Sequence, residues 1–230
     1  MATMTGWAGK ILRVNLSTGA ISTEDTGKYT DFIGGQGIGC KVIFDEVPAG
    51  TKALDPENKI VFAVGPITGA GALCSGRTNI TTCSPMNPYS AVADSHFGGY
   101  WGSELKYAGY DALIVEGKAS SPVWIRIEDS KVTIESARQI WGKGCFDAQA
   151  AVAGIMGKEA QVACIGPAGE NLMLSSTIRT GNDHHAGGHG AVLGAKNLKA
   201  IGVKGTGAVH IAGTPAEWNK IIRENFAVIG

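Results

Sequence analysis

The sequence predicts an α+β domain built on antiparallel or mixed sheets. Three observations carry this. Short β-prone runs outnumber helical ones, about ten to four. The strands come in consecutive groups instead of alternating with helices, which disfavours a regular βαβ repeat. Glycine makes up 34 of the 230 residues, about double its usual ~7% share, so the chain reverses often.

The elements follow in order. Residues Gly9 to Leu16 alternate as a strand, Ser17-Thr18-Gly19 turns, and Ala20 to Glu24 returns as the second arm of a hairpin. The apolar positions of Tyr29 to Val47 suit a glycine-interrupted helix that Pro48 ends; each mid-helix glycine costs about 1 kcal/mol relative to alanine. Asp55-Pro56-Glu57-Asn58 is a turn before an apolar strand at Lys59 to Val64. Strands are expected at Thr78–Cys83, Tyr89–Asp94, Ala112–Glu116, Val123–Glu128, Lys131–Glu135, Gln161–Ile165 and Lys199–Lys204. Helices are expected at Gly99–Tyr107 and Cys145–Met156, with a helical turn at Ala191–Asn197, while Leu172–Arg179 reads either way. Near the end, Thr214 caps, Pro215 takes the first helical position and Glu217 the third. The apolar stripe Trp218, Ile221, Ile222 and Phe226 follows. Residues 1–209 are therefore expected to form one domain. Residues 210–230 are expected to be a helix beginning a further one.

Composition removes several classes. Twenty basic and twenty acidic residues balance to zero, which argues against a nucleic-acid binder acting through bulk charge. No apolar run approaches the ~20 residues that span a membrane. No charged segment followed by an apolar stretch opens the chain. The expectation is a cytoplasmic protein without membrane contact. The five cysteines, Cys40, Cys74, Cys83, Cys145 and Cys164, show no C-x-x-C spacing. A disulfide framework or a metal cluster built from this chain is not expected, and each thiol reads as a small buried apolar group.

The glycines gather at 34–39, 65–76, 98–102 and 187–190. Such clusters serve tight turns, or bring bare backbone N–H groups against a ligand. Arg77 follows the second cluster as Ser75-Gly76-Arg77. It reads as a bidentate anion grip or as a surface arginine at a strand start. In Asp94-Ser95-His96-Phe97-Gly98-Gly99-Tyr100-Trp101, Asp94 or Ser95 could cap the helix, and His96 is pocket-lining or structural. The run Asn182-Asp183-His184-His185-Ala186-Gly187-Gly188-His189-Gly190 holds metal-capable groups. Its paired glycines oppose a helix placing His185 beside His189, so a ligand-facing loop fits better than direct metal ligation. No P-loop, correctly placed G-x-G-x-x-G or G-x-S-x-G occurs.

Ordered blocks carry a more specific signal. They include Gly6-Trp7-Ala8-Gly9-Lys10-Ile11-Leu12, Asp55-Pro56-Glu57-Asn58-Lys59, and Ala63-Val64-Gly65-Pro66-Ile67-Thr68-Gly69. Further along come Glu104-Leu105-Lys106-Tyr107-Ala108-Gly109-Tyr110-Asp111-Ala112, Ile140-Trp141-Gly142-Lys143, and Ile165-Gly166-Pro167-Ala168-Gly169-Glu170-Asn171. The last is Gly190-Ala191-Val192-Leu193-Gly194-Ala195-Lys196-Asn197-Leu198-Lys199-Ala200. Together they make the chain, from Gly6 to about Gly205, resemble the N-terminal domain of the tungsten-containing aldehyde ferredoxin oxidoreductase family. The resemblance implies two sheets forming a base for a tungsten- or molybdenum-bis-pterin cofactor, its phosphates bridged by magnesium. It places cofactor contacts on Arg77, on His96, Gly98 and Gly99, and on Asn182, Asp183, His184, His185, Gly187 and Gly188.

The chain departs from that pattern where relatives carry arginines in the 182–188 loop, and where His96 replaces a common asparagine. A less basic pocket and a substrate other than a simple aldehyde are the expectation. The family's 4Fe–4S cluster needs a C-x-x-C-x-x-x-C segment that this chain lacks. The resemblance therefore implies further domains or a complementary subunit carrying the cluster, and a ferredoxin-type acceptor. Homo-oligomerisation stays open, and no catalytic acid or base is assigned. The competing expectation is a non-catalytic scaffold or assembly module of the same fold. A phosphate- or nucleotide-binding domain is the weakest reading.

Overall fold

A computed structural model describes residues 4–87, 91–181 and 185–229. Two six-stranded mixed sheets form the architecture. The first sheet contains β1 (Lys10–Asn15), β2 (Ile21–Asp25), β3 (Ile60–Ala63), β4 (Thr78–Cys83), β5 (Val92–Phe97) and β6 (Ala112–Glu116), in the order β2-β1-β6-β3-β4-β5. The second contains β7 (Val123–Glu128), β8 (Lys131–Ser136), β9 (Gln161–Ile165), β10 (Ile178–Thr180), β11 (His185–Gly187) and β12 (Leu198–Lys204), in the order β11-β10-β9-β12-β7-β8. Each sheet holds one parallel pairing, β1 with β6 and β12 with β7. The expected class, with two mixed sheets and several helices, is what forms.

The helices are α1 (Gly35–Glu46), α2 (Trp101–Tyr107), α3 (Cys145–Met156), α4 (Pro167–Glu170), α5 (Gly190–Ala195) and α6 (Pro215–Ile229). The main core joins both sheets: Ile11, Leu12, Phe62, Ile80 and Leu113 of the first meet Ile125, Ile165, Ile178 and Ile201 of the second. Trp101 of α2 stands among them with Phe62 and Phe97, ring centroids 5.6 Å away in each case. Its indole N–H donates to the Ile201 carbonyl at 3.1 Å, so the buried polar edge of the ring is satisfied. A second cluster packs Val152 and Met156 of α3 on Trp124, Val162, Cys164 and Ala200.

Several boundaries differ from the sequence reading. The single helix expected over Tyr29–Val47 is two elements, a 3-10 helix at Thr26–Phe32 and then α1. The chain breaks at Ile33, whose φ of 65° is left-handed and costs a non-glycine residue about 1–2 kcal/mol. Gly34 follows; a Cβ there would lie 2.7 Å from the Val64 carbonyl oxygen, so only bare backbone passes the end of β3. The strand expected at Tyr89–Asp94 is displaced to β5, and residues 88–90 lie outside the described residues. Asp94 and Ser95, read as caps, are β5 residues; Tyr100 holds the N-cap position of α2 without a side-chain bond. The turn after β9 contains α4, and Leu172–Arg179 ends in β10.

Buried charge fastens the loops. Asp111, fully buried, accepts from Ala8 N at 2.9 Å, Gly9 N at 2.8 Å, Thr26 Oγ1 at 2.7 Å and Lys106 Nζ at 2.6 Å. Lys199 is equally buried and donates to Glu170, which also accepts from Gly142 N. Lys196 donates to three carbonyls, those of Asn58 at 2.5 Å, Gly117 at 3.0 Å and Pro56 at 3.4 Å. The family-like blocks of the sequence hold these lysines, so part of their pattern is a set of structural clamps.

After β12 the chain runs back beside α2, with Gly207 N bonded to Tyr107 O at 3.0 Å and Gly6 N to His210 O at 2.6 Å. The capping box forms as read: Thr214 Oγ1 and Glu217 bond reciprocally. Trp218 of α6 donates its indole N–H to Ala70 O at 2.8 Å. Ile221, Phe226 and Val228 are exposed. No helix among the described residues is long and apolar enough to cross a membrane.

Candidate functional site

The ends of β4 and β5, the Gly76–Arg77 segment and the β10–β11 hairpin meet at one edge of the molecule. Pairing sets Asn79 opposite His96 and Thr81 opposite Asp94, so these four side chains share a sheet face. Asn79 Nδ2 lies 3.2 Å from Asp94 Oδ2 and 3.1 Å from His96 Nε2. His96 Nε2 therefore accepts, which leaves the proton on Nδ1, 3.5 Å from Asp94 Oδ2. Asp94 also accepts from Gln36 Nε2 of α1 at 2.9 Å.

The opposite face meets β11. Gly188 N donates to Ser95 Oγ at 2.9 Å. A Cβ on Gly187 would stand 2.8 Å from Ile80 Cδ1, so glycine lets the hairpin close tightly on the sheet. The His185 ring covers Gly98 and Gly99: a Cβ on Gly98 would lie 2.7 Å from His185 Nδ1. Gly99 adopts φ +80°, a conformation that favours glycine. A Cβ on Gly76 would lie 3.3 Å from the Gly99 carbonyl. No hydrogen bond within the described residues takes up the N–H groups of Gly76, Gly98 or Gly99. Arg77 is exposed beside them and makes no ion pair with the described residues.

Thus Arg77, His96, Gly98, Gly99, His185, Gly187 and Gly188 lie around one junction, while Asn182, Asp183 and His184 lie outside the described residues. His189 is not beside His185 on a helix; it is the left-handed residue before α5. Burial holds its imidazole below the ordinary value, opposed by a bond to the Asp94 backbone. Its Nε2 is buried without a partner among the described residues. Sequence reasoning missed the Asn79–Asp94–Gln36 network, since its members lie far apart in the chain. The one available signal was a polar strand, Thr78-Asn79-Ile80-Thr81-Thr82, that is buried throughout.

Not every glycine serves this junction. Gly39 fits α1 against Thr81, and Gly102 and Gly190 meet protein atoms alone. Among the described residues, no three His, Cys, Asp or Glu side chains form a metal-holding group. A cavity of about 780 Å³ lies elsewhere, between Trp7, Lys10, Glu24, Tyr107 and His210.

A pair of mixed six-stranded sheets with glycine-lined strand ends defines a class of domain that matches one family model across residues 11–205, "Aldehyde ferredoxin oxidoreductase, N-terminal domain". The chain belongs to that family, as its N-terminal domain. It is 44% identical over 216 residues to a tungsten-containing aldehyde ferredoxin oxidoreductase of Pyrococcus furiosus, covering 91% of this chain and 35% of that protein. It is 32% identical to the aliphatic sulfonate oxidoreductase, WOR-like subunit, of the same organism, covering 96% and 38%. Among solved structures it superposes on the active-site complex BamBC of benzoyl coenzyme A reductase with 1,5-dienoyl-CoA, at TM-score 0.91 and 35% identity, covering 99% of this chain and 35% of that one. The chain thus spans about a third of the length of these relatives.

Proposed function

We propose that this chain forms one wall of the metal–pterin site of a larger ferredoxin-linked oxidoreductase, tungsten-dependent or its molybdenum counterpart. One observation carries the reading: the N–H groups of Gly76, Gly98 and Gly99, without a hydrogen-bond partner among the described residues, lie on strand ends next to Arg77, which makes no ion pair with the described residues. Bare amides with an arginine suit a phosphate-bearing ligand. A metal held by the cofactor's own sulfurs asks no side-chain ligand of this chain.

When bound, the metal–pterin group supplies two-electron oxidation of an aldehyde or related substrate to the acid, with electrons leaving singly through an iron–sulfur cluster. The chain's residues position that group. Arg77 would pair with a phosphate group of the cofactor. The N–H groups of Gly76, Gly98 and Gly99 would hold the cofactor beside it. The His185 ring packs against Gly98 and Gly99, and the Asn79–Asp94–His96 network holds the strand ends in place. The relatives' names attach this domain to aldehyde, sulfonate and acyl-CoA chemistry, which supports placing substrate choice in other domains or a partner subunit. On this reading α6 begins the next domain, the cluster lies outside this chain, and the assembly works in the cytoplasm.

The test is metal and pterin analysis of the full-length protein produced with tungstate or molybdate. Absence of both overturns the proposal. Arg77→Ala should leave stability within ~0.5 kcal/mol, as for an exposed residue without partners, yet lower pterin content. Gly98→Ala, which pushes a methyl group into the His185 ring, should also lower pterin content, at a cost in stability of about 1–3 kcal/mol. Full pterin occupancy in both variants would place the cofactor elsewhere.

A further inference from the structure

On the far side of the second sheet from the glycine junction, two thiols meet. Cys145 is the first residue of α3, following Gly144. Cys164 is fully buried in the middle of β9. Cys164 Sγ lies 3.5 Å from the Cys145 carbonyl oxygen, and Cys145 Sγ lies against Gly166, two residues beyond Cys164 in the chain. Both are free. Cys145 is half-buried and opens to solvent, whereas Cys164 does not. Gly166 passes Cys145 Sγ with bare backbone, so no side chain shields the sulfur there.

The charged groups facing Cys145 come from three other elements: Lys199 of β12, Arg179 of β10 and Glu170 of α4. Glu170 is already bonded to Lys199 and to Gly142 N. The neighbouring Cys164 thiol, then Lys199 and Arg179, hold the Cys145 thiol down to about 7, against burial and Glu170. The bond to Cys145 and burial push Cys164 the other way. One sulfur is thus an accessible nucleophile and its neighbour a protonated, sequestered thiol. That division matches an attacking and a resolving cysteine. Of the remaining thiols, Cys40 and Cys83 are raised by burial.

We infer that Cys145 and Cys164 are a dithiol site for low-molecular-weight disulfides, closing reversibly to an intramolecular disulfide. The Cys145 thiolate attacks one sulfur of the external disulfide, forming a mixed disulfide and expelling one thiolate. The Cys164 thiol gives its proton to that leaving group and attacks the Cys145 sulfur, expelling the second thiolate, which takes a proton from solvent. Two protein thiols are oxidised by two electrons, and the external disulfide is reduced to two thiols. The step uses neither the glycine junction nor any cofactor there.

Oxidised glutathione is the probe. The reduced protein should lose two hydrogens by intact mass, and digestion should yield one peptide pair linked through Cys145 and Cys164. Cys164→Ser should stop at a glutathione adduct on Cys145, and Cys145→Ser should leave Cys164 unmodified. Thiolate fraction and the weaker nucleophilicity of an acidic thiol together predict a rate about threefold above an ordinary exposed thiol at pH 7. The rate should inflect near pH 7. In the wild-type protein, which avoids any folding defect of the variants, pre-oxidation should protect Cys145 from alkylation. A glutathione adduct that persists on wild-type Cys145 beside reduced Cys164 would overturn the inference. So would an inflection at the ordinary thiol value of about 8.5, or unprotected alkylation.

Discussion

Replacing Lys106 by methionine isolates the value of the buried Lys106–Asp111 pair. Methionine keeps a similar stem and removes only the charge and its donors. Both side chains are almost wholly buried, and the ammonium lies 2.6 Å from Asp111 and 3.2 Å from the Gly65 carbonyl. Burial pushes the Lys106 ammonium down, and the Asp111 carboxylate opposes it. Removing one partner of such a pair costs about 3–5 kcal/mol, because the other charge stays buried. Asp111 keeps three donors, Ala8 N, Gly9 N and Thr26 Oγ1, so the loss should fall near the low end, at about 3 kcal/mol. For a chain of this size that lowers Tm by about 6–12 °C. Urea denaturation followed by circular dichroism, with the m-value unchanged, reads the effect. The double variant Lys106→Met/Asp111→Asn should cost less than the sum of the single ones, by about 2–3 kcal/mol of coupling. A single-variant loss below about 1 kcal/mol, the range of exposed ion pairs, would mean that water reaches the pair and that the clamp is ordinary surface electrostatics.

Lys196 offers a pH test. Burial pushes it to about 8, against the opposing carboxylates of Glu116 and Glu57, while an unfolded lysine titrates near ~10.4. A depressed folded value means stability is gained as pH rises from about 8 to about 10.4 and lost as pH falls through 8, about 3 kcal/mol in all. The urea midpoint of wild type should therefore rise relative to that of Lys196→Met as pH goes from 7 to 10; parallel curves would contradict the assignment. Glu46 runs at the acid end. Burial alone would raise its carboxyl, but the hydrogen bonds from Arg13 and Lys59 outweigh burial and hold it at about 2. Its stabilisation is complete above the ordinary carboxylate value of ~4.3 and fades as pH falls towards 2, up to about 3 kcal/mol at low salt. Glu46→Gln should flatten acid unfolding across that window, and an unchanged acid midpoint would count against the network.

The sequence disclosed what depends on local composition. Strands such as Ala112–Glu116 and Val123–Glu128 stand where β-branched runs place them, and α6 begins at its capping box. What stayed hidden depends on distant partners. β11 is only His185-Ala186-Gly187 and carries no strand pattern; pairing with β10 makes it a strand. The break before α1 follows from the passage of Gly34 over Val64, which no local rule contains. Cysteines 19 positions apart gave no motif spacing, yet α3 packs on β9 and brings them together. The buried lysines were visible only as charges inside apolar blocks. Their partners lie 5, 29 and up to 140 residues away, beyond the reach of periodicity.

The place of β12 carries a consequence for how the polypeptide reaches this form. It is the last strand among the described residues, yet it lies between β9 and β7 and bonds to both. Until about residue 204 has left the ribosome, β7 and β9 each present an open hydrogen-bonding edge flanked by apolar side chains. Such edges recruit other chains. The nascent protein passes through a vulnerable interval that closes in a single insertion, and a premature stop anywhere before β12 should yield aggregate, not a smaller soluble fold.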